Sequence, residues 1–252
     1  LHYENTKVNF AEESWNAYIE VNRLFAEEIA KVASDNDLVW IHDFHLFLVP
    51  QMLKRKMPNL KVGFFLHTPF PSSELFRELP VRRELMDALL YCDLVGFHDY
   101  SYLRHFCSAV EHITDSDVQG LIVRTGNRNT TLGVYPVSID TNKFIDSSNT
   151  SIVRKKLKQL KSQNSYKYVI LGVDRLDYSK GLKLKLKAFR QLLKDYPELV
   201  GQVGFIQIAV PSRTEVSGYQ VLKQEVEQFV GSINGEFATT NYTPVQYIFN
   251  SV

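Results

Sequence analysis

Short apolar runs that stop at a polar residue recur along this chain, with helical patterns between them. Residues 38–41 (LVWI) end at His42 and Asp43, and residues 61–66 (KVGFFL) end at His67. Residues 94–97 (LVGF) end at His98, and residues 203–210 (VGFIQIAV) end at Pro211, Ser212 and Arg213. A short, continuous apolar run is the pattern of a strand buried on both faces, as in a parallel sheet. Before the first run, Trp15, Tyr18, Ile19, Asn22, Phe25, Ala26 and Ile29 recur at helical spacing over residues 12–33. Strands alternating with helices predict parallel βαβ units and the α/β class. Ligands of such sheets bind outside the carboxyl ends of the strands, so the polar residues ending each run are the candidates for function.

The stretch 168–182, YVILGVDRLDYSKGL, is the most pointed of these. An apolar run leads into Asp174, Arg175, Asp177 and Lys180, and Gly181 precedes a helical pattern over 183–195. Strand, loop and helix follow in that order. Arg offers a planar, permanently charged fork and Lys a mobile point charge, a pair suited to a phosphate-bearing ligand. A solvated turn with chance charges would read the same in isolation.

Further helices are expected over 45–56, 81–90, 100–110, 153–161 and 216–230, and one starts near Ser72-Ser73-Glu74. Gly126-Asn127 between two apolar runs predicts a hairpin. Residues 231–243 read as a loop or hairpin before a last strand over 245–249. Polar, turn-rich residues 146–151 and 162–165 flank the basic helix and mark a boundary. The expected organisation is a first α/β domain over 1–145, a linker over 146–165 and the start of a second domain over 166–252. Two such domains facing each other would bring the polar strand ends together around a ligand.

Composition excludes several classes. The 29 basic and 28 acidic side chains give a net charge of +1, so the chain as a whole has no electrostatic pull toward nucleic acid or a membrane surface. No apolar run approaches the roughly 20 residues of a membrane span. Cys92 and Cys107 belong to no paired-cysteine motif, and a reducing, cytoplasmic setting is expected. The start, LHYENTKVNF, has no signal-peptide layout and no initiator Met, as for a chain beginning inside a longer protein. No G-x-G-x-x-G occurs, against a dinucleotide oxidoreductase.

Each candidate has a plainer reading. Asp43 reads as readily as a cap of the helix after it. His42 and His45 flank it, but no further cluster of close ligands supports a metal. His67 before Thr68-Pro69 fits a partly buried structural histidine, and His98 and His105 read as structural. Trp15, Trp40, Phe64 and Phe65 read as core, and Arg55, Lys56 and the 153–161 run as solvated faces.

Taken together the segments resemble a family. WIHDFHLFLVPQML (40–53), KVGFFLHTPFPSSELFRELPVR (61–82), DLVGFHDYSYLRHFCSA (93–109), VYPVSID (134–140), GVDRLDYSKGL (172–182), QIAVPSRTEVSGYQ (207–220) and GSINGEF (231–237) are similar, in order and spacing, to the trehalose-6-phosphate synthases, glycosyltransferase family 20. The form LHTPFPSSE is closest to the eukaryotic, fungal branch. The resemblance implies a GT-B fold: two Rossmann-like parallel-sheet domains facing a cleft, both incomplete here. It implies retaining transfer of glucose from UDP-glucose to glucose 6-phosphate, yielding trehalose 6-phosphate and UDP. It implies no cofactor beyond UDP-glucose as donor substrate and no metal. Its partners would be the two substrates, a second copy of the chain, or a complex with trehalose-phosphate phosphatase.

By the same resemblance Arg175 and Lys180 hold the donor diphosphate, and His67 contacts the donor glucose. Asp43 contacts the sugars where donor and acceptor meet, as a positioning carboxylate rather than a nucleophile. Arg213 binds the acceptor phosphate. The chain departs from the family at Phe44 (commonly Tyr), at Asp99, Ser101 and Leu103 (commonly Thr, Asp and Ala), at Ser138 (Gly) and at Ser232 (Arg). The family's glycine loop and its ribose-binding Glu have no counterpart here, so little or no turnover is expected of this chain alone. Two alternatives stay open: a non-catalytic synthase-like subunit, and a related transferase with another phosphorylated acceptor such as glycerol 3-phosphate. The retained Arg175 and Lys180 lean against the first, and Asp174 and Leu66-His67 against the second.

Overall fold

The structure is a computed structural model that describes residues 10–163, 166–212 and 217–250. It divides into two units, residues 1–139 and 140–252.

The first unit runs α1 (Glu12–Val32), β1 (Leu38–His42), α2 (Val49–Lys56), β2 (Lys61–Leu66), α3 (Ser73–Phe76), α4 (Arg82–Leu89), β3 (Leu94–Phe97), α5 (Tyr100–Ile113), β4 (Asp117–Gln119), β5 (Ile122–Thr125) and β6 (Arg128–Val134). Its sheet has the order β1-β2-β3-β6-β5-β4. The first four strands in that order are parallel, and β6, β5 and β4 are joined antiparallel. Phe64, Val95, Phe97 and Leu132 are buried on the face covered by the helices, with Leu53, Met86, Leu89 and Phe106 against them. Burying a side chain of this size stabilises by roughly 1.5–3 kcal/mol, and together these residues set the sheet against its helices.

The opposite face is aromatic. Phe65 lies across Gly96, where a Cβ would stand 2.7 Å from its ring, and Tyr135 lies over Gly133, where a Cβ would stand 2.5 Å from its hydroxyl oxygen. Only glycine leaves room for rings laid flat on the strands. Trp40 belongs to this face and is 63% exposed, so it is not the core residue its type suggests. The reason is topological: β1 is an edge strand, and Trp40 points away from the helix-covered side.

The second unit runs α6 (Thr141–Ser148), α7 (Ser151–Gln163), β7 (Tyr168–Arg175), α8 (Leu182–Asp195), β8 (Val203–Val210), α9 (Ser217–Phe237) and β9 (Val245–Phe249). Its three strands, ordered β7-β8-β9, are all parallel. Leu182, Leu186 and Phe189 of α8 pack with Phe205 of β8 and with Val226, Val230 and Ile233 of α9.

Three segments differ from expectation. The loop or hairpin expected from residue 231 is helix: α9 continues through Gly231 and Gly235 to Phe237. Buried Ile233 explains this, because it keeps the helical register of Val226 and Val230 against the core, and tertiary burial outweighs the roughly 1 kcal/mol penalty of each glycine. The single helix expected over 45–56 is a 3₁₀ turn, Phe44–Leu46, followed by α2 with Pro50 in its first turn. Residues 146–148, read as the start of the polar, turn-rich stretch 146–151, close α6 (Thr141–Ser148), which is started by the Asp140 carboxylate accepting from the Lys143 backbone N–H.

Candidate functional site

In the first unit the parallel strands carry their carboxyl ends to one edge, which places Asp43 after β1, His67 after β2 and His98 after β3. Asp43 has φ 67° and ψ 168° and is the only non-glycine residue with positive φ among the described residues. That combination is essentially glycine's, and an aspartate held there costs roughly 1–3 kcal/mol. Two backbone bonds hold it: the Asp43 N–H donates to the Phe65 carbonyl at 2.8 Å, and the Leu46 N–H donates to the Asp43 carbonyl at 3.2 Å. Its carboxylate makes no capping bond to the 3₁₀ turn that follows, so the plainer reading of Asp43 does not describe its geometry. It instead accepts from the Thr68 hydroxyl at 3.5 Å, across the end of the sheet. Strain that the surrounding structure enforces collects at sites where a side chain must be aimed.

A clamp from α1 fixes the segment after Asp43. The Tyr18 hydroxyl donates to the Phe44 carbonyl at 2.7 Å and accepts from the Phe47 N–H at 3.1 Å. Buried Asn22 donates to the Tyr18 and His45 carbonyls and accepts from the Leu48 N–H at 3.1 Å. Burial pushes the Tyr18 phenol up to about 12 against the opposing pull of the Phe47 and Asn22 hydrogen bonds. Sequence reading places both residues on the helix face. Nothing local shows that they serve backbone groups more than twenty positions away.

His67 is exposed beside Asp43's partner loop. Its Nε2 lies 3.0 Å from His42 Nδ1, and its ring packs 4.9 Å from Phe65 and 5.5 Å from His98, centroid to centroid. A concavity of about 460 Å³ opens here, lined by Trp40, His42, Phe65, His67, Gly96 and Tyr135. Aromatic walls with a few convergent polar groups are the usual make-up of a small-ligand site. His98 packs on His67 and Tyr135 lines the same concavity, and sequence reading left the first as structural and the second unassigned; their signal was their place after β3 and β6. No group of three or more His, Cys, Asp or Glu with metal-binding geometry occurs among the described residues.

In the second unit β7 extends further than its apolar run, so Arg175 is its last residue and not part of the loop. The loop is built by its acids. Asp177 Oδ1 accepts from the Ser179 N–H at 2.9 Å and the Ser179 hydroxyl at 2.8 Å, and Oδ2 accepts from buried Tyr219 at 3.4 Å. Asp174 accepts from Lys185 at 2.7 Å and from Gln207 at 3.1 Å. Gly181, at φ 64°, takes the left-handed conformation that turns the chain from Lys180 into α8. Both aspartates are spent on the loop and on α8, which leaves Arg175 and Lys180 as exposed cations at its rim. Arg213, the remaining candidate, lies outside the described residues.

The model of glycosyltransferase family 20 matches residues 1–252. The chain belongs to glycosyltransferase family 20. It is 47% identical over 258 residues to the UDP-forming alpha,alpha-trehalose-phosphate synthase of Candida albicans, covering all of this chain and 54% of that protein. A structure from E. coli, described as trehalose-6-phosphate bound with UDP-2-fluoro glucose, superposes with a TM-score of 0.92 at 32% identity, over 100% of this chain and 56% of that one. The UDP-forming synthase from Burkholderia xenovorans in complex with glucose-6-phosphate superposes with a TM-score of 0.86 at 32% identity, over 97% of this chain and 55% of that one. The chain therefore spans about half the length of the family 20 relatives it matches. Its two parallel-sheet units are those of the GT-B glycosyltransferases among these neighbours. No helix among the described residues is long and apolar enough to cross a membrane.

Proposed function

We propose that this family 20 chain is part of a glucosyltransferase that moves glucose from UDP-glucose to glucose 6-phosphate with retention, forming trehalose 6-phosphate and UDP. The observation that carries the reading is Asp43. An aspartate is kept in a glycine-only backbone conformation at a parallel strand's carboxyl end, with its carboxylate excused from capping. In the reaction the bond from glucose C1 to the diphosphate breaks, its electron pair leaves on UDP, and a bond forms from C1 to the acceptor hydroxyl oxygen, whose proton passes to the departing diphosphate. Arg175 and Lys180 would meet the charge developing on the departing diphosphate, where fixed cations act most strongly. His67 would contact the donor glucose, Asp43 would orient the sugars about the reacting carbon, and Arg213 would take the acceptor phosphate.

The domain organisation read from sequence, 1–145, 146–165 and 166–252, remains part of this proposal, as do a cytoplasmic location and assembly with a second copy or with trehalose-phosphate phosphatase. UDP-glucose is the donor substrate, and no cofactor is invoked. The test is UDP release with glucose 6-phosphate present, compared between this chain and a polypeptide of the relatives' full length. Turnover by the full-length polypeptide and little or none by this chain is expected. Absence of turnover in both would favour the non-catalytic subunit.

A further inference from the structure

We propose a second ligand site in the first unit, at the amino-terminal edge of its parallel sheet: a cavity that binds a phosphoryl anion. It lies at the opposite ends of the strands from Asp43 and His67 and shares no residue with the site described above.

The cavity, about 380 Å³, is lined by Lys54, Tyr91, Asp93, Arg128 and Asn129 among others. Two separate elements line it with cations, and a third sets one beside it. Lys54 comes from the last turn of α2, its Nζ 2.9 Å from Asp93 and its side chain only 14% exposed. Lys61, opening β2, reaches the same carboxylate at 3.4 Å. Arg128, opening β6, lays its guanidinium over the Tyr91 ring at 3.7 Å from the centroid. Burial alone would push the Tyr91 phenol up, yet the charges of Arg128 and Arg55 hold it below its usual range.

The charges do not balance. Lys54 and Arg128 line the cavity and Lys61 stands beside it, against one carboxylate, Asp93, which pairs with the two lysines and also accepts from the Val62 N–H at 2.8 Å. Cations in the last turn of a helix complement its free carbonyls, which accounts for Lys54 and Arg55 standing on α2. It does not account for Arg128 lining the same cavity from a strand, with Lys61 beside it from another. A phosphoryl group would supply the missing negative charge. The Arg128 guanidinium fork suits its oxygens, since Arg in particular recognises phosphate by paired hydrogen bonds. Sequence reading took Arg55 as part of a solvated face. In the structure it is exposed, in the last turn of α2.

The test uses this chain, labelled for amide NMR, titrated with inorganic phosphate and with glucose 6-phosphate, each against chloride at matched ionic strength. Saturable shifts at Tyr91, Asp93 and Asn129 are expected with both phosphates, which marks the phosphoryl group as the feature recognised. Saturation by glucose 6-phosphate alone would overturn a site for the bare anion. Arg128→Gln, and Lys61→Gln at an exposed position, should each weaken binding about ten-fold, the loss of one charge-assisted contact. Arg175→Ala should leave these shifts unchanged. Shifts no larger than chloride produces, or shifts that persist in the Arg128→Gln and Lys61→Gln variants, would overturn the proposal.

Discussion

Asp43 is tied to Phe65 by a 2.8 Å hydrogen bond from its backbone N–H to the Phe65 carbonyl, one step beyond the last paired residues of β1 and β2. That bond continues the parallel ladder past the point where the chain must turn, and the backbone of Asp43 absorbs the difference at φ 67°. The carboxylate is thereby aimed from the end of the sheet toward Thr68.

Replacing Asp43 separates the strain from the chemistry. Asp43→Gly should raise stability by about 1 kcal/mol, because glycine adopts this conformation freely and gives back only part of the gain as chain entropy. Asp43→Ala keeps the strain and should be close to neutral. Both should abolish detectable transfer in a polypeptide of the relatives' length. Urea unfolding midpoints of the two variants check the first half; a destabilised Asp43→Gly would show that the backbone is not strained.

The α1 clamp predicts a graded loss. Tyr18→Phe removes the hydroxyl shared by Phe44 and Phe47 and should cost about 1–2 kcal/mol. Asn22→Ala strands buried groups of His45 and Leu48 and should cost about 3 kcal/mol. Denaturant melts measure both, and a loss confined below about 0.5 kcal/mol at Asn22, the size of an ordinary surface change, would contradict the clamp.

Acid sensitivity should concentrate at Asp93. Burial pushes its carboxyl up, but the Val62 N–H and the Lys54 and Lys61 ammonium groups outweigh that and hold it below the usual carboxylate range. A carboxyl depressed in the fold contributes stability above its unfolded pKa, near 4, and that stability is lost as pH falls through the lower folded value. Asp93→Asn should therefore lower stability at neutral pH and flatten the decline below pH about 4. Parallel acid limbs in the parent and variant unfolding curves would count against it.

Much of the fold was legible because buried parallel strands announce themselves. The runs 61–66, 94–97 and 203–210 became β2, β3 and β8 with those boundaries. The sites were legible in part. Arg175 and Lys180 stood out as cations at a strand end, but β7 carrying Arg175 as its last residue did not, since an apolar run ends before its strand does. Whether Asp43 caps or is held for another task was undecidable from residue type; backbone dihedrals and the missing cap bond separate the two. Tyr18 and Asn22 had no signal, because helical periodicity records which face is covered and not which distant carbonyls are served. Trp40 misled because its size suggests burial, while its edge strand leaves it open.

The most direct measurement is UDP release by Arg175→Ala in a polypeptide of the relatives' full length, with UDP-glucose and glucose 6-phosphate supplied. Loss of a fixed cation at the departing diphosphate should lower the rate at saturating substrates by about 100-fold or more, with Lys180→Ala similarly impaired. A rate within about two-fold of the parent, well under the 1.4 kcal/mol that separates ten-fold changes, would contradict the diphosphate role and the account of glucosyl transfer built on it.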